Sequence, residues 1–323
     1  MNKEKIVIIG AGPCGLAAAI ACQEAGFDPL VIEKGNIVHA IYQYPTHQTF
    51  FSTSEKLEIG GVAFVIEERK PKRNQALAYY REVVKRKQIR IHTYEMVQSV
   101  QKQEQGFKLL TDKQTYEASH VIIATGYYDS PNFLKVPGED LPHVFHYFKE
   151  AHPFFNKEVV VIGGKNSAVD ATLELEKAGA KVTVLYRGSD YSSSVKPWIL
   201  PEYDALVRHK KIDHFFQAEV VEIKEKEVIY QINGVEKKVN ADFVFAMTGY
   251  HPDHSFLKAA GVTVDSSTGR PLFLDESMET NIEGLYIAGV IAAGNNANEI
   301  FIENGRFHGE RIAQAILSRE RSN

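Results

Sequence analysis

A glycine pattern near the N-terminus places the strongest constraint on how this chain can fold. Gly10, Gly12 and Gly15 form a G-x-G-x-x-G directly after the apolar segment 5–9. The first glycine permits a tight strand-to-helix turn, the second lets backbone approach a pyrophosphate, and the third lets helix and strand touch. Glu33 ends the next predicted strand, where a carboxylate fits the ribose hydroxyls of an adenosine. The segment therefore predicts a β-α-β unit that binds a dinucleotide.

A second unit of the same kind begins about 150 residues later, with the sequence "VVVIGGKNSAVDA". Its turn reads G-x-K-x-x-A, so a lysine replaces the middle glycine and places a cation beside the expected pyrophosphate. Arg187 stands where the first unit has its acid, and a guanidinium there suits a 2′-phosphate, which indicates NADPH over NADH. The candidate residues of this site are Gly163, Gly164, Lys165, Asn166, Ser167, Ala168 and Arg187.

Two copies of one supersecondary unit in 323 residues indicate an internal duplication and an α/β fold with two Rossmann-type dinucleotide-binding domains. The two predicted nucleotide sites differ, since the first has Glu33 where the second has Arg187. This difference suggests a flavoprotein that keeps FAD bound and binds NADPH transiently. We expect a discontinuous FAD domain, residues 1–130 and 252–323, with an NADPH domain inserted at 131–251. The pattern also predicts an amphipathic helix over 71–87 and a single helix over 298–319.

Charge and composition exclude several function classes. The net charge is −4, and no Lys/Arg block is long enough to make a nucleic-acid footprint. No run of about 18 apolar residues occurs, so we expect no membrane span. The histidines lack metal-ligand spacing and two cysteines cannot hold a structural zinc, so no metal is expected. So few cysteines fit a protein of the reducing cytoplasm.

Cys14 is the unusual residue of the first turn, one position past Pro13. A thiol in a first helical turn is stabilised as thiolate by the helix dipole, which lowers its pKa. A bound pyrophosphate would oppose that effect, so the residues alone leave open whether Cys14 is a nucleophile or a small spacer. Cys22 lies about 12 Å further along the predicted helix. Since a disulfide needs Cα atoms within about 7 Å, the two cannot pair while the helix is intact.

Nearly the whole chain resembles the thioredoxin-reductase-type pyridine nucleotide-disulfide oxidoreductases. In detail it is most similar to the bacillithiol disulfide reductase (YpdA) family, on "GAGPCG", "VIGGKNSAVDA", "YIAGVIAAG" and "IFIENGR". "VIIATG" and "FAMTGY" match the crossings between domains, and "GLYIAG" matches the late flavin motif. The resemblance implies FAD and NADPH as cofactors, a homodimer or higher homo-oligomer, and Cys14 as the redox-active thiol.

The expected FAD contacts come from both the first turn and these later motifs. Beyond the fingerprint they are Pro13, Lys34, Gln43, Tyr44, Val97, Thr125, Gly126, Gly289 and Val290. The chain departs from the superfamily in two places. Val290 follows Gly289 where an aspartate usually meets the ribityl chain, and no C-x-x-C occurs, which excludes a thioredoxin-like dithiol relay.

The function that these features favour is NADPH-dependent reduction of a low-molecular-weight disulfide, and the resemblance points to bacillithiol disulfide. Three alternatives share the same nucleotide sites. One is a reductase of ferredoxin or flavodoxin, or a diaphorase, in which Cys14 is incidental. Another is a flavin monooxygenase, and the third is a non-catalytic redox sensor. The second fingerprint and Arg187 favour turnover over sensing alone.

Overall fold

The computed structural model of the protein describes residues 2–296 and 298–322 and divides into two compact units. One comprises Met1–Ser130 and Tyr250–Asn323 and is called here the split unit. The other, Pro131–Gly249, is the inserted unit. Within the described ranges, no helix combines the length and the apolar character that crossing a bilayer requires.

The split unit is built on a parallel sheet with an antiparallel extension. Its strands are β1 (Asn2–Ile9), β2 (Leu30–Glu33), β3 (Arg90–Thr93), β4 (Val97–Lys102), β5 (Phe107–Thr111), β6 (Thr115–Ile123) and β15 (Leu285–Ile287). They follow the order β3-β2-β1-β6-β5-β4, with β15 paired to β6. Strands β3, β2, β1, β6 and β15 run parallel, and β4 and β5 form an antiparallel meander with β6. Because both faces of the parallel part are covered, Ile6, Val7 and Ile8 are fully buried.

The helices of the split unit cover this sheet. They are α1 (Pro13–Glu24), α2 (His39–Gln43), α3 (Ser54–Leu57), α4 (Arg73–Lys87), α7 (His254–Ala259), α8 (Ile302–Gly305) and α9 (His308–Ser322). Small residues bring α1 and α9 together, since a Cβ added to Gly309 would stand 2.5 Å from the Cα of Ala18. The amphipathic helix predicted over 71–87 is confirmed as α4.

The inserted unit has a parallel sheet of its own and a small antiparallel sheet. Its strands are β7 (Val144–Phe145), β8 (Glu158–Ile162), β9 (Lys181–Leu185), β10 (Asp213–Phe215), β11 (Glu219–Ile223), β12 (Glu227–Ile232), β13 (Val235–Asn240) and β14 (Phe243–Ala246). The parallel order is β10-β9-β8-β14-β7, and β11-β12-β13 form the antiparallel sheet. Helices α5 (Asn166–Lys177) and α6 (Leu200–Arg208) belong to this unit. Its β8-α5-β9 segment repeats the β1-α1-β2 arrangement.

The single helix predicted over 298–319 is wrong, because the chain turns between α8 and α9. Arg306 lies at this turn, and its Nη1 donates to the backbone carbonyls of Glu55 and Glu58. These bonds tie the turn to the segment around α3, which local helical periodicity does not reveal. The break places Gly305 at the end of α8 and His308 at the start of α9.

Candidate functional site

The first glycine turn leaves open space in front of a helix N-terminus. Gly10 has φ +106°, and a Cβ there would stand 2.5 Å from the carbonyl oxygen of Ala124. A Cβ on Gly15 would stand 2.0 Å from the carbonyl oxygen of Gly10. Among the described residues, by contrast, no heavy atom lies within 4 Å of the Cβ position of Gly12, and no side chain caps α1. Free helix N–H groups facing open space form a cradle for an anion such as a pyrophosphate.

Glu33 joins this turn to the end of β2. Its carboxylate is buried, and its Oε2 accepts a hydrogen bond from the N–H of Ala11 at 2.8 Å. Its Oε1 accepts from the N–H of Gly35 at 2.8 Å. Each oxygen keeps a second lone pair, so the carboxylate can still accept a ribose hydroxyl. Lys34, the next residue, instead places its Nζ 2.9 Å from the carboxylate of Asp129 at the surface.

Thr125, just after the end of β6, indicates that a ligand binds at the carboxyl end of the parallel strands. Its hydroxyl is buried and has no hydrogen-bond partner within the part of the chain that the structure describes. A buried hydroxyl without a partner is costly unless a bound group satisfies it. Gly126 follows with φ +73° and open space at its Cβ position. The residues at this edge therefore fit a dinucleotide.

Val97 also lies close to this edge, although β4 is remote from β1 in the sheet order. The N–H of Glu95 donates to the carbonyl of Glu33 at 3.0 Å, which brings the start of β4 beside the end of β2. Val97 itself is buried. The predicted approach of its backbone to an adenine is thus compatible with its place in the fold.

Gln43 and Tyr44 end the short helix α2. The Gln43 amide nitrogen lies 3.1 Å from the Nε2 atom of His39. The Tyr44 ring packs edge-on against Tyr128, with centroids 5.1 Å apart. Burial raises the pKa of the Tyr44 hydroxyl, and the neighbouring Cys14 contributes to that increase. Tyr44 therefore shares its surroundings with the first turn of α1.

The sulfur of Cys14 lies against two glycines of the split unit. A Cβ on Gly289 would stand 3.0 Å from this sulfur, and so would a Cβ on Gly305. Although the residue as a whole is half-buried, burial raises the pKa of its thiol to about 12. The helix dipole was expected to lower this pKa, whereas the burial of the thiol raises it. Cys22 is fully buried, as predicted.

The backbone N–H of Gly289 is hydrogen-bonded to a histidine that was not predicted from the sequence. Gly289 has φ +83°, and its N–H donates to Nδ1 of His308 at 3.2 Å. His308 is buried, and burial lowers its pKa to about 4, so the ring is neutral and Nδ1 accepts. Val290, predicted as a flavin contact, is half-buried and begins the 3-10 helix Val290–Ala293. Nothing in the local sequence singles out His308, because its partner lies 19 residues away.

The second glycine turn, in the inserted unit, has the same construction. Gly163 has φ +141°, and a Cβ there would stand 2.4 Å from the carbonyl oxygen of Met247. Ala168 is buried beside Gly163 and takes the place of the third glycine. Lys165 is the exposed N-cap residue of α5, with no side-chain cap bond, and Ser167 is exposed on the first turn. An uncapped helix start with a lysine beside it suits an anionic ligand.

Of the two other candidate residues at this second turn, Asn166 is hydrogen-bonded to a neighbouring loop, whereas Arg187 is exposed. The Nδ2 of Asn166 donates to the carbonyl of Ser194 at 2.8 Å, and its Oδ1 accepts from the N–H of Lys196 at 3.0 Å. The side chain thus holds the 194–196 loop at the start of α5. Arg187 is exposed, and no acidic residue in 2–296 or 298–322 pairs with it. Its guanidinium is available to a phosphate, so the residues of this turn fit a phosphorylated nucleotide.

Comparison with known proteins identifies the family. The profile of the family described as "Pyridine nucleotide-disulphide oxidoreductase" matches residues 7–289. The chain belongs to this family.

Two similar proteins support this family assignment, and a third shares the fold. Bacilliredoxin reductase Bdr of Bacillus subtilis (strain 168) is 65% identical over 322 residues, which cover 99% of each chain. The solved structure of Bacillithiol Disulfide Reductase Bdr (YpdA) from Bacillus cereus is 63% identical, with a TM-score of 0.97 over 98% of this chain and 100% of that chain. A thioredoxin reductase from T. acidophilum is 24% identical, with a TM-score of 0.80 over 99% of each chain, and shares the fold.

These findings confirm several predictions. The thioredoxin-reductase-like α/β fold and the resemblance to the bacillithiol disulfide reductase family are confirmed. The chain is a flavoprotein disulfide reductase, with FAD and NADPH as its cofactors. In the described residues, neither predicted glycine turn has a side-chain cap at its helix start, and the first turn also has open space at Gly12.

Proposed function

We propose that this pyridine nucleotide-disulphide oxidoreductase uses NADPH to reduce bacillithiol disulfide. NADPH and one proton are consumed, the S–S bond breaks, and two thiols and NADP⁺ are released. The observation that carries the proposal is the 63% identity, over 98% of this chain and 100% of that chain, to a solved structure named Bacillithiol Disulfide Reductase. The relative named Bacilliredoxin reductase, at 65% identity over 99% of both chains, supports a reductase of the same kind, although its name points to a bacilliredoxin as the disulfide that is reduced.

In this proposal the split unit is the FAD domain and the inserted unit is the NADPH domain. The N–H groups at the start of α1 bind the FAD pyrophosphate, and Glu33 accepts a ribose hydroxyl. When bound, FAD supplies the two-electron centre between the nicotinamide and the disulfide. The turn from Gly163 to Ala168 binds the NADPH pyrophosphate, and Arg187 binds the 2′-phosphate. The open space at Gly12 and the free guanidinium of Arg187 support these roles.

Cys14 is proposed as the thiol at which the disulfide is opened. Its sulfur would attack one sulfur of the substrate and expel the first thiol, leaving a mixed disulfide on the protein. Because the free thiol is protonated and lies against Gly289 and Gly305, this step requires that the sulfur become exposed and lose its proton. Cys22 cannot resolve the mixed disulfide, since it is fully buried about 12 Å along the same helix. Cleaving the mixed disulfide, which frees the second thiol and restores the Cys14 thiol, takes two electrons and two protons, and bound reduced FAD would supply the electrons. An external thiol could only exchange the mixed disulfide for another disulfide, which would need the same two electrons.

The setting of the reaction is part of the proposal. A reducing cytoplasm would keep Cys14 and Cys22 as free thiols and would supply NADPH. A homodimer or higher homo-oligomer is the assembly that the resemblance to the related reductases implies. Neither a nucleic acid nor a membrane is needed for reduction of a small disulfide.

Anaerobic steady-state assays of NADPH oxidation test this proposal. The FAD-loaded protein is supplied in turn with bacillithiol disulfide, oxidised glutathione and oxidised ferredoxin. We expect rapid NADPH oxidation with bacillithiol disulfide and two thiols released per NADPH. Turnover with ferredoxin and none with any small disulfide would contradict the proposal. Turnover only when oxygen is readmitted would indicate an oxidase or monooxygenase, and no turnover with any acceptor would indicate a sensor.

A further inference from the structure

The ring of Tyr186 contacts two glycines that belong to different parts of the proposed NADPH site. A Cβ on Gly164, in the phosphate-binding turn, would stand 2.4 Å from the ring Cγ and 2.5 Å from Cδ1 and Cδ2. A Cβ on Gly188 would stand 2.5 Å from Cε1 and 2.6 Å from Cζ. The Cγ end of the ring thus packs on the backbone of Gly164, and the Cζ end packs on the backbone of Gly188. Any other residue at either position would displace the ring.

The backbone on both sides of Arg187 is fixed by hydrogen bonds. The N–H of Tyr186 donates to the carbonyl of Phe215 at 3.0 Å, and its carbonyl accepts from Ala218 at 3.0 Å. The N–H of Gln217 donates to the carbonyl of Gly188 at 2.9 Å. Arg187 therefore projects from an anchored segment, with an exposed guanidinium that no acidic residue in the described ranges engages.

Tyr186 is not simply a core residue. It is half-buried, whereas the aromatic residues in the core of this unit, such as Tyr203 and Phe245, are fully buried. Its ring links the turn that would hold the pyrophosphate to the segment that carries Arg187. A guanidinium binds a phosphate through paired hydrogen bonds only if the two groups are held in a fixed relation, because residual freedom costs affinity.

We propose that Tyr186 is a positioning residue that fixes Arg187 against the 2′-phosphate and so sets the preference for NADPH over NADH. The inference rests on the proposed function only in assigning the 2′-phosphate to Arg187. It concerns nucleotide selection and is independent of the identity of the disulfide.

The test is calorimetric titration of the FAD-loaded protein with NADP⁺ and with NAD⁺, which bind without turnover. Arg187→Ala should lower the NADP⁺ to NAD⁺ affinity ratio by roughly 10- to 100-fold, the usual effect of losing a charge-assisted hydrogen-bonded pair. Tyr186→Leu should lower the ratio about 5- to 10-fold with little change for NAD⁺, and Tyr186→Phe, which keeps the ring, should retain it. The double variant should match Arg187→Ala alone, because coupled residues are not additive.

A second variant tests the same role in case the Tyr186→Leu protein does not fold. Gly188→Ala keeps the tyrosine but displaces its tip, and should lower the NADP⁺ to NAD⁺ ratio in the same direction. If Tyr186→Leu or Gly188→Ala weakens both nucleotides equally, or adds in full to Arg187→Ala, the positioning role is overturned while the NADPH assignment stands. If Arg187→Ala leaves the ratio unchanged, the 2′-phosphate assignment fails and the inference falls with it.

Discussion

The sulfur of Cys14 lies against Gly305, where an added Cβ would stand only 3.0 Å from it. The two residues are far apart in sequence and come together because α8 packs beside the first turn of α1. Gly289 approaches the same sulfur from the end of β15. The backbone at these two glycines therefore covers the sulfur from two sides, and burial raises the pKa of the thiol although the residue lies at a helix N-terminus.

Gly305→Ala should destabilise the protein by about 1–3 kcal/mol, the usual cost of overpacking a filled site. The new methyl would also stand 3.1 Å from Cγ2 of Ile300, so the site cannot simply expand. Urea unfolding of the FAD-loaded protein measures the loss. In a Cys14→Ala background the same substitution should cost less, because the sulfur is gone. An equal cost in both backgrounds would show that the sulfur and Gly305 are not in contact.

The Cys14 thiol should react slowly with iodoacetamide at neutral pH in the resting protein. Because its pKa is raised to about 12, the thiolate fraction rises about tenfold per pH unit across the whole range from 7 to 10. Peptide mass spectrometry separates the Cys14 product from that of Cys22, and urea-unfolded protein gives the unhindered rate. A plateau in the Cys14 rate below pH 9 would refute the buried, protonated thiol.

The sequence was sufficient to predict both glycine turns, because the chemistry of a tight turn before a helix N-terminus is local. Gly10, Gly12 and Gly15 have the geometry that the pattern requires. The direction of the Cys14 sulfur could not be predicted, since it depends on Gly289 and Gly305, which the fold brings in from the other end of the chain.

The same limit applies to the break between α8 and α9. One helix was predicted over 298–319, but Arg306 bonds to the carbonyls of Glu55 and Glu58 at a turn within this range. The role of His308 is likewise set by a distant backbone N–H. Such long-range polar contacts leave no periodic signal in the sequence.

Glu33→Gln should weaken FAD binding and lower stability by roughly 1–3 kcal/mol, the cost of leaving a buried donor unsatisfied. The amide keeps one acceptor oxygen, so either the Ala11 or the Gly35 N–H would face an NH₂ group. The FAD-to-protein absorbance ratio and urea unfolding report the two effects. Glu104→Gln, on an exposed turn, is the matched control and should change neither. A Glu33→Gln protein with full FAD content and unchanged stability would contradict the bonding described.

His308 should make the protein less stable as the pH falls from 6.5 towards 4. Its pKa in the folded protein, about 4, lies below the ordinary histidine value of 6.5, so the unfolded chain takes up the proton first and folding loses free energy over that window. Between pH 7.5 and 5 the loss is about 2 kcal/mol. Urea unfolding at the two pH values measures it.

His308→Asn provides the control for this pH effect. An asparagine can accept the Gly289 N–H but does not titrate, so its stability should fall less over the same interval. Other groups, including His214, titrate in the same direction, so the informative quantity is the difference between the two proteins. An identical pH dependence in both would show that His308 is not responsible.

The most direct test of the central claim is anaerobic stopped-flow reoxidation of the NADPH-reduced protein by bacillithiol disulfide, compared with the Cys14→Ala variant. Both proteins should be reduced by NADPH at similar rates, since Cys14 takes no part in that half-reaction. The reduced wild-type flavin should be reoxidised by bacillithiol disulfide, and Cys14→Ala should slow this by roughly 100-fold or more, as expected for loss of a nucleophile. Equal reoxidation rates in the two proteins would remove Cys14 from the mechanism, and no reoxidation of the wild type by bacillithiol disulfide would contradict the proposed function itself.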